Sequence, residues 1–261
     1  MILEDFHIHT NLCDGIDSPE DMVLEAIKLK MTRLGFSGHS YTDFDASFCM
    51  SQENTLKYAD EIKTLKEKYK DKIEILCGIE QDYFSKAPTF SPDYVIGSVH
   101  YVKSGDNILS IDESEESFRQ IAKDFYDGDY YAMAEDYFSL VGDVVRKTNA
   151  DIIGHFDIIT KFNEGNKLFD TQNPRYVKAA TDAIDKLLPF GIPFEINMGA
   201  VARGYKTEPY PERSLLSYIQ SRGGKVILSS DSHSKEGLCF EFEKYEKMAL
   251  DVGFDEIKFK K

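Results

Sequence analysis

Short apolar runs rich in β-branched residues alternate along the chain with longer stretches whose apolar residues recur at helical spacing. Such alternation is typical of repeated βα units, in which parallel strands form a sheet and helices cover it. Apolar runs bounded by turn residues therefore predict seven strands. They span residues 2–9, 33–38, 73–79, 94–99, 151–155, 192–196 and 225–229.

Capping sequences mark where the helices between these strands begin. Ser18 precedes a proline and two acidic residues, which is the arrangement of an N-cap followed by proline at the first helical position. Ser51 predicts a second helix that ends near residue 70, and Asn173-Pro174 predicts a third that ends near residue 191. Each of these helices connects two predicted strands, as a βα repeat requires.

Seven parallel strands with helices outside them predict an α/β fold, a distorted (β/α)7 barrel similar to a TIM barrel with one strand fewer. Residues 112–148 depart from the alternation because they hold two helical patterns, joined around Asp127-Gly128-Asp129, with no strand between them. We interpret this segment as a helical insertion over one end of the barrel. The whole chain, residues 1–261, is predicted to be a single domain.

Composition and charge favour some cellular locations and some kinds of binding partner over others. The start of the chain, MILEDFHIHT, lacks the features of a signal peptide, and no apolar run approaches the ~20 residues of a membrane span. The four cysteines form no CxxC pair, which favours reduced thiols and a cytoplasmic protein. The net charge of −15 disfavours nucleic acid and anionic membranes as partners. A monomer is the default expectation.

All six histidines lie at or just after the C-terminal end of a predicted strand. In barrels of this kind these ends share one face, where the chemistry gathers. Side chains two residues apart on a strand point the same way, so the HxH pair after the first strand can present both rings to one point. The candidate metal ligands at this face are His7, His9, Asp14, His39, Glu80, His100, His155, Asp231 and His233.

A single histidine beside a strand is more often a hydrogen-bonded structural residue than a metal ligand, and one HxH pair is weak evidence. The position of all six histidines at one face is stronger evidence for a metal site, because structural histidines would also occur away from this face. Six histidines and three carboxylates exceed the needs of one tetrahedral ion and suit about three ions. Mixed imidazole and carboxylate ligands favour zinc, manganese or iron. Glu80, on a middle strand, is the natural bridging ligand.

Together these motifs resemble those of the polymerase and histidinol phosphatase (PHP) superfamily. They comprise the HxH pair, an acid five residues later, histidines after strands two, four and five, a glutamate on strand three, and a final DxH. The segment NMGAVARGYKTEPYP after strand six is similar to that of the stand-alone histidinol-phosphate phosphatases of this superfamily. The resemblance extends over nearly the whole chain.

The resemblance implies three divalent metal ions, zinc, manganese or iron, and hydrolysis of a phosphate monoester by a hydroxide that bridges two ions. The implied substrate is L-histidinol phosphate, which would yield L-histidinol and phosphate in histidine biosynthesis. The implied catalytic residues are Glu80 as the bridge and Asp231 or His233 as general acid. The implied ligand sets are His7, His9, Glu80 and Asp231 for the first ion, Glu80, His100 and His155 for the second, and Asp14, His39 and His233 for the third.

Residues in the loops offer substrate contacts. Arg203, after strand six, and Lys161, after strand five, are candidates for binding the phosphate. Histidinol phosphate also carries an ammonium and an imidazole, which acids and aromatic rings can bind. The candidates are Asp43, Asp112 and Glu113 for the ammonium, and Tyr101, Tyr205 and Phe44 for the ring.

Four other functions are compatible with parts of the pattern. A phosphatase for another small ester, such as a sugar phosphate or a nucleotide, would use the same metals. A nuclease or phosphodiesterase of the same superfamily is disfavoured by the acidic charge and the lack of a basic stripe. A metal-dependent amidohydrolase typically has eight strands and a bridging modified lysine, where this chain has Glu80. A non-catalytic regulator is disfavoured by the complete set of ligands.

Overall fold

The computed structural model of the chain describes residues 3–259. Ile2, the first residue of the first predicted strand, and residues 1, 260 and 261 of the predicted domain lie outside this range. In chain order the elements are β1 Glu4–Asp5, α1 Pro19–Lys28, β2 Arg33–Phe36, α2 Gln52–Tyr69, β3 Glu74–Cys77, β4 Ile79–Asp82, β5 Val95–Ser98, β6 Tyr101–Ser104, β7 Asn107–Ser110, α3 Glu115–Phe125, α4 Tyr130–Val141, α5 Val144–Thr148, β8 Ile152–Ile153, α6 Pro174–Leu187, β9 Pro193–Asn197, α7 Gly199–Ala202, α8 Arg213–Ser221, β10 Lys225–Ser229 and α9 Phe242–Val252.

Parallel pairing arranges the strands in two sheets, in the orders β1-β2-β3 and β10-β9-β8-β5-β4. Isolated parallel bridges join the two sheets, between His39, which follows β2, and Glu80 in β4, and between Ile8, which follows β1, and Ser232, which follows β10. At the second junction the His9 N–H donates to the Ser232 carbonyl at 2.8 Å, and the Ser232 N–H donates to the His7 carbonyl at 3.2 Å. The strands thus form a distorted ring with helices outside, which confirms the predicted α/β fold class.

The third predicted strand, residues 73–79, is divided at Gly78 into β3, which pairs with β2, and β4, which pairs with β5. The aromatic ring of Tyr94 explains the need for glycine there, because a Cβ added at Gly78 would lie 2.3 Å from the ring carbon Cζ. The Tyr94 hydroxyl donates to the carbonyls of Phe6 at 2.6 Å and Phe36 at 2.9 Å. This fully buried side chain therefore links β5 to the first two strand positions.

Local capping rules account for the helix starts. The Ser18 side chain accepts a hydrogen bond from the Asp21 N–H, and the Asp21 side chain accepts one from the Ser18 N–H, which completes a capping box. Ser51 caps α2 in the predicted place by accepting from the Asn54 N–H. Asn173 caps α6 by accepting from the Arg175 N–H. These three helix starts are confirmed.

An antiparallel hairpin, β6 and β7, follows β5 and was not predicted. Its two-residue turn has Gly105 at a φ of +60°, a conformation that favours glycine. The Gly-Asp pair at the turn was the available signal, but the flanking residues lack a regular alternation of apolar and polar side chains. The hairpin extends the C-terminal side of the barrel beyond His100.

Residues 112–148 contain three helices rather than the two that were predicted. The predicted joint around residues 127–129 is present between α3 and α4, and the short helix α5 is additional. Helix α4 packs against α6 and β6, α5 packs against β5, and α3 packs against β7.

The division of the chain into one domain with an insertion stays a prediction. Among the described helices, none is both long and apolar enough to cross a membrane.

We expect Tyr94→Phe to lower the free energy of unfolding by about 2 kcal/mol, since it keeps the ring but removes the hydroxyl whose proton two buried carbonyls share. Equilibrium urea denaturation measures the change. The matched control is Tyr218→Phe in α8, whose hydroxyl donates to Asp185 at 3.1 Å on the surface, and which should cost less than about 0.5 kcal/mol. Equal effects of the two substitutions would contradict a linking role for Tyr94.

Candidate metal centre

The C-terminal ends of the strands bring all nine predicted ligand side chains together at a cavity of about 410 Å³. Seven of them line this cavity, and the two rings of the HxH motif are fully buried below it. Every strand position except that of β9 contributes a ligand, because the strands run parallel and end at the same face. His7 and His9 follow β1, His39 follows β2, Glu80 lies in β4, His100 follows β5, His155 follows β8, and Asp231 and His233 follow β10.

Glu80 lies at the centre of the cluster. The side chain is 1% exposed, and its carboxylate lies within 3.5 Å of five imidazole rings. Both oxygens face rings, so this carboxylate is placed to bridge two cations. Oε1 lies 2.9 Å from His155 Nε2 and 3.4 Å from His100 Nε2, and Oε2 lies 2.9 Å from His39 Nδ1, 3.2 Å from His7 Nε2 and 3.5 Å from His9 Nε2.

Two more carboxylates complete the cluster on the side of β1 and β10. Asp231 Oδ1 lies 3.4 Å from His9 Nε2. Asp14 Oδ2 lies 3.0 Å from His233 Nε2 and 3.6 Å from His39 Nε2. Asp231 adopts a φ of +52°, which is uncommon for a residue other than glycine and frequent at functional sites.

The buried polar atoms of this cluster fit bound metal ions. His7 Nε2, His9 Nε2 and Glu80 Oε2 are buried and have no hydrogen-bond partner in the described structure. A buried polar atom without a partner is costly, whereas metal coordination would satisfy all three atoms. Among residues 3–259, these residues also form one of three groups whose ligand atoms lie within 4.8 Å of one another.

The three groups overlap with the predicted ligand sets but do not coincide with them. The first, His7, His9 and Glu80, lies within the first predicted set. The second joins Glu80 and His100 to His39, where the prediction has His155. The third is Asp14, His39 and His233 with His9 added. The assignment of ligands to individual ions therefore stays a prediction.

Carboxylates outside the cluster orient its imidazole rings. Glu195, in β9, accepts from His7 Nδ1 at 2.8 Å and from the His155 N–H at 3.0 Å. Asp82, in β4, accepts from the His100 N–H at 2.9 Å and lies 3.2 Å from His100 Nδ1. With Nδ1 of His7 donating to Glu195, Nε2 is the nitrogen that faces the centre, where it could serve as a metal ligand once it has lost its proton.

No role was predicted for Glu195 or Asp82. Asp82 lies two residues after Glu80 on the same strand, which was an available signal for a side chain on the same face. Glu195 contacts a histidine that is 188 residues away in the chain. Only the closed arrangement of strands reveals that contact.

Opposite charges keep the central groups ionised although they are buried. Burial favours the neutral form of Glu80, but His39, His7 and His100 hold its pKa well below the usual range. Burial also opposes protonation of His39, but Glu80 and Asp14 raise its pKa to about 10. Burial, with the like charges of His233 and His39, lowers the pKa of His9 to about 3. His9 is thus neutral, which leaves its nitrogen available to a metal.

Both predicted phosphate contacts line the cavity. Arg203 Nη2 lies 3.2 Å from Asp231 Oδ2, and Nη1 donates to the Asp231 carbonyl at 3.0 Å. Gly199 makes room for this pair, because an added Cβ would lie 2.4 Å from Asp231 Oδ2. Lys161 Nζ donates to the Asp112 carbonyl at 2.6 Å and lies 3.7 Å from its carboxylate.

The loop after β2 differs from the prediction. Asp43 does not line the cavity: its carboxylate is partly exposed and lies 2.6 Å from Lys86 Nζ. Asp45, two residues later, lines the cavity instead and accepts a hydrogen bond from the buried Tyr101 hydroxyl at 2.9 Å. Phe48 also lines the cavity, and the centroid of its ring lies 4.8 Å from that of the His39 ring.

The other predicted wall residues lie in three places. Tyr101 is 2% exposed and does not itself line the cavity. Asp112, Glu113 and Tyr205 line the cavity. Phe44 is 42% exposed and packs edge-on against Tyr101, so it supports the wall from outside. Phe48 and Asp45 were missed because the path of a loop without regular structure is not readable from residue spacing.

Comparisons with known proteins agree with this architecture. The family model described as the PHP domain matches residues 5–198, well over half of the chain. The chain is 28% identical to a "Probable histidinol-phosphatase" of Deinococcus radiodurans, and the match covers 98% of the chain and 96% of that relative. It is 29% identical to a "Probable histidinol-phosphatase" of Schizosaccharomyces pombe, with 82% and 74% covered.

A solved structure has the same fold. It is that of histidinol phosphate phosphatase from Lactococcus lactis in complex with zinc, L-histidinol and phosphate, with a TM-score of 0.74 and 22% sequence identity. The match covers 97% of this chain and 95% of that one.

We expect Glu195→Gln to weaken metal binding about 10- to 100-fold, because the neutral amide no longer supports His7 as an anionic acceptor. Titration against a chromophoric chelator measures the affinity. Glu67→Gln is the matched control, since Glu67 is 78% exposed and pairs only with Lys70 among the ion pairs of the described residues. An affinity of Glu195→Gln equal to that of the control would remove Glu195 from the support of the metal centre.

Proposed function

We propose, because the chain belongs to the PHP domain family, that it is a metal-dependent phosphomonoesterase that hydrolyses L-histidinol phosphate to L-histidinol and phosphate. The observation that carries the proposal is the buried carboxylate of Glu80 among five imidazole rings, directly below a cavity that also holds Arg203 and Lys161. The matches to these relatives cover nearly the whole chain, and the names of the relatives support the choice of substrate. The enzyme would act in histidine biosynthesis.

The proposed cofactors are three divalent ions of zinc, manganese or iron, held by the nine cavity ligands in the predicted sets. When bound, such ions supply Lewis acidity and lower the pKa of nearby water. They also make the site locally positive within a chain of net charge −15. An anionic phosphate ester would otherwise be repelled.

The protein side chains would then position the ester and transfer the proton. Arg203 presents its guanidinium beside Asp231, where it can bind two phosphoryl oxygens. His233 is a quarter exposed and its Nε2 lies 3.0 Å from Asp14, so it can reach a leaving oxygen above the cluster. We assign the role of general acid to His233 or Asp231, and the bridging role to Glu80.

The cavity wall suits a cationic leaving group. Asp45 is fixed by the Tyr101 hydroxyl, and Glu113 lies among the other lining residues, so both can attract an ammonium. Asp112 is already engaged by Lys161. Phe48 lines the cavity, where its ring could pack against the imidazole of the substrate. The same acidic wall would repel the additional phosphates of a nucleotide or a nucleic acid, which disfavours those alternatives.

The remaining assignments stay predictions. Cytoplasmic location, the monomeric state and the lack of nucleic-acid or membrane partners rest on composition and charge alone. The chemistry proposed for the cavity side chains does not depend on any of these predictions.

The direct test is hydrolysis by the metal-replete protein of L-histidinol phosphate beside sugar phosphates, nucleotides and an aryl phosphate. We expect kcat/KM for L-histidinol phosphate to exceed the others at least about a hundredfold, because only this ester pairs with the acidic and aromatic wall. A higher kcat/KM for a sugar phosphate or a nucleotide would overturn the assignment of the substrate. Lack of hydrolysis of every ester would overturn the phosphatase.

Two neighbouring aspartates provide a matched pair for the same assay. Asp45→Asn should raise KM for L-histidinol phosphate about tenfold, because an ammonium loses its charged partner, and should leave the aryl phosphate unaffected. Asp43→Asn, which removes an exposed carboxylate from the same loop, should behave like the parent protein. A raised KM in Asp43→Asn together with an unchanged KM in Asp45→Asn would instead assign the binding of the ammonium to Asp43.

A further inference from the structure

Lys206 is the only lysine among the described residues that is less than a tenth exposed, at 7%. Its ammonium donates to Thr160 Oγ1 at 2.8 Å and lies 3.9 Å from Glu212 Oε1. It also lies 5.4 Å from the centroid of the Tyr210 ring. The ammonium is therefore held in one place beneath the surface, outside the cavity lining.

The hydrogen bonds around Lys206 connect two segments that are distant in sequence. The Thr160 hydroxyl, which accepts from Lys206, donates to the Asp157 carbonyl at 2.9 Å. The Asp157 carboxylate accepts from the Glu212 N–H at 3.1 Å. Residues 157–161, which follow His155, are thereby joined to residues 203–212, which follow α7.

Each joined segment contributes cavity side chains. Lys161 follows Thr160 directly, while Arg203 and Tyr205 come just before Lys206. The segments also meet at the cavity surface, where Lys161 Nζ lies 5.1 Å from the centroid of the Tyr205 ring. The relative position of these three side chains therefore depends on how the two segments are held together.

Stability alone is a weak reason for such an ammonium. Removing a charge from water is costly, and replacing buried ionic groups by apolar residues of similar volume is often neutral or stabilising. Directional bonds from an ammonium nevertheless define one geometry, which an apolar contact does not.

We infer that Lys206 is a positioning residue, which holds Arg203 and Tyr205 in place relative to Lys161 so that they receive the phosphate ester. This inference rests on the proposed phosphatase function. Lys206 does not touch the ester and acts through the two joined segments.

The test compares Lys206→Met and Lys206→Arg in the metal-replete protein. We expect Lys206→Met to raise KM for L-histidinol phosphate about tenfold, with kcat changed less than about threefold, because ground-state and transition-state binding weaken together. The dissociation constant of inorganic phosphate, measured by calorimetry, should rise by a similar factor. Lys206→Arg, which keeps the charge and the donors, should recover most of both losses.

The controls separate this role from folding and from the choice of substrate. Lys178→Met removes an exposed lysine that pairs with Asp182, and should leave KM unchanged. Thr160→Val removes the same hydrogen bond from the other partner, and should raise KM even where Lys206→Met does not fold. A Thr160→Val or Lys206→Met protein with unchanged KM and unchanged phosphate affinity would overturn the inference.

Two further outcomes are decisive. A lowered melting temperature with an equal loss of kcat and no recovery in Lys206→Arg would show a structural role and overturn the inference. If the parent protein hydrolyses no phosphate ester, the proposed function fails, while the phosphate affinities of the variants still decide the role of Lys206.

Discussion

A buried carboxylate that touches five imidazole rings governs the structure of this protein. Isolated in the interior, the negative charge of Glu80 would be too costly to keep. Its neighbours hold its pKa well below the usual range and so keep it charged. The same geometry leaves buried nitrogen and oxygen atoms without hydrogen-bond partners. Cations bound by these atoms would both stabilise the buried charge of Glu80 and satisfy the nitrogen and oxygen atoms that have no hydrogen-bond partner.

The fold provides this convergence through the closure of its strands. The interruption of the strand at Gly78 separates β3 from β4, which pair with different neighbours, and Glu80 in β4 faces the cavity. The bridge between Ile8 and Ser232 brings the two ends of the chain's strand order together, and with them the HxH and DxH motifs. Outer carboxylates such as Glu195 then fix the orientation of the rings.

The strands, the helix caps and the clustered histidines could be predicted because each depends on local rules. Ser18 and Ser51 cap helices through bonds to residues three positions away. The histidines follow strand ends, which parallel topology places on one face. The place of Asp45 in the cavity lining and the contacts of Glu195 could not be predicted, since they depend on the path of a loop and on contacts between distant segments. The partners of Lys206 belong to the same class.

The most direct test of the central claim is anomalous diffraction from crystals of the metal-replete protein. We expect at least two strong peaks, one on each side of the Glu80 carboxylate, at about 2.0–2.3 Å from its oxygens and from imidazole nitrogens. A third peak is expected near Asp14 and His233. A map with no peak, or with a single ion that does not contact Glu80, would contradict the account.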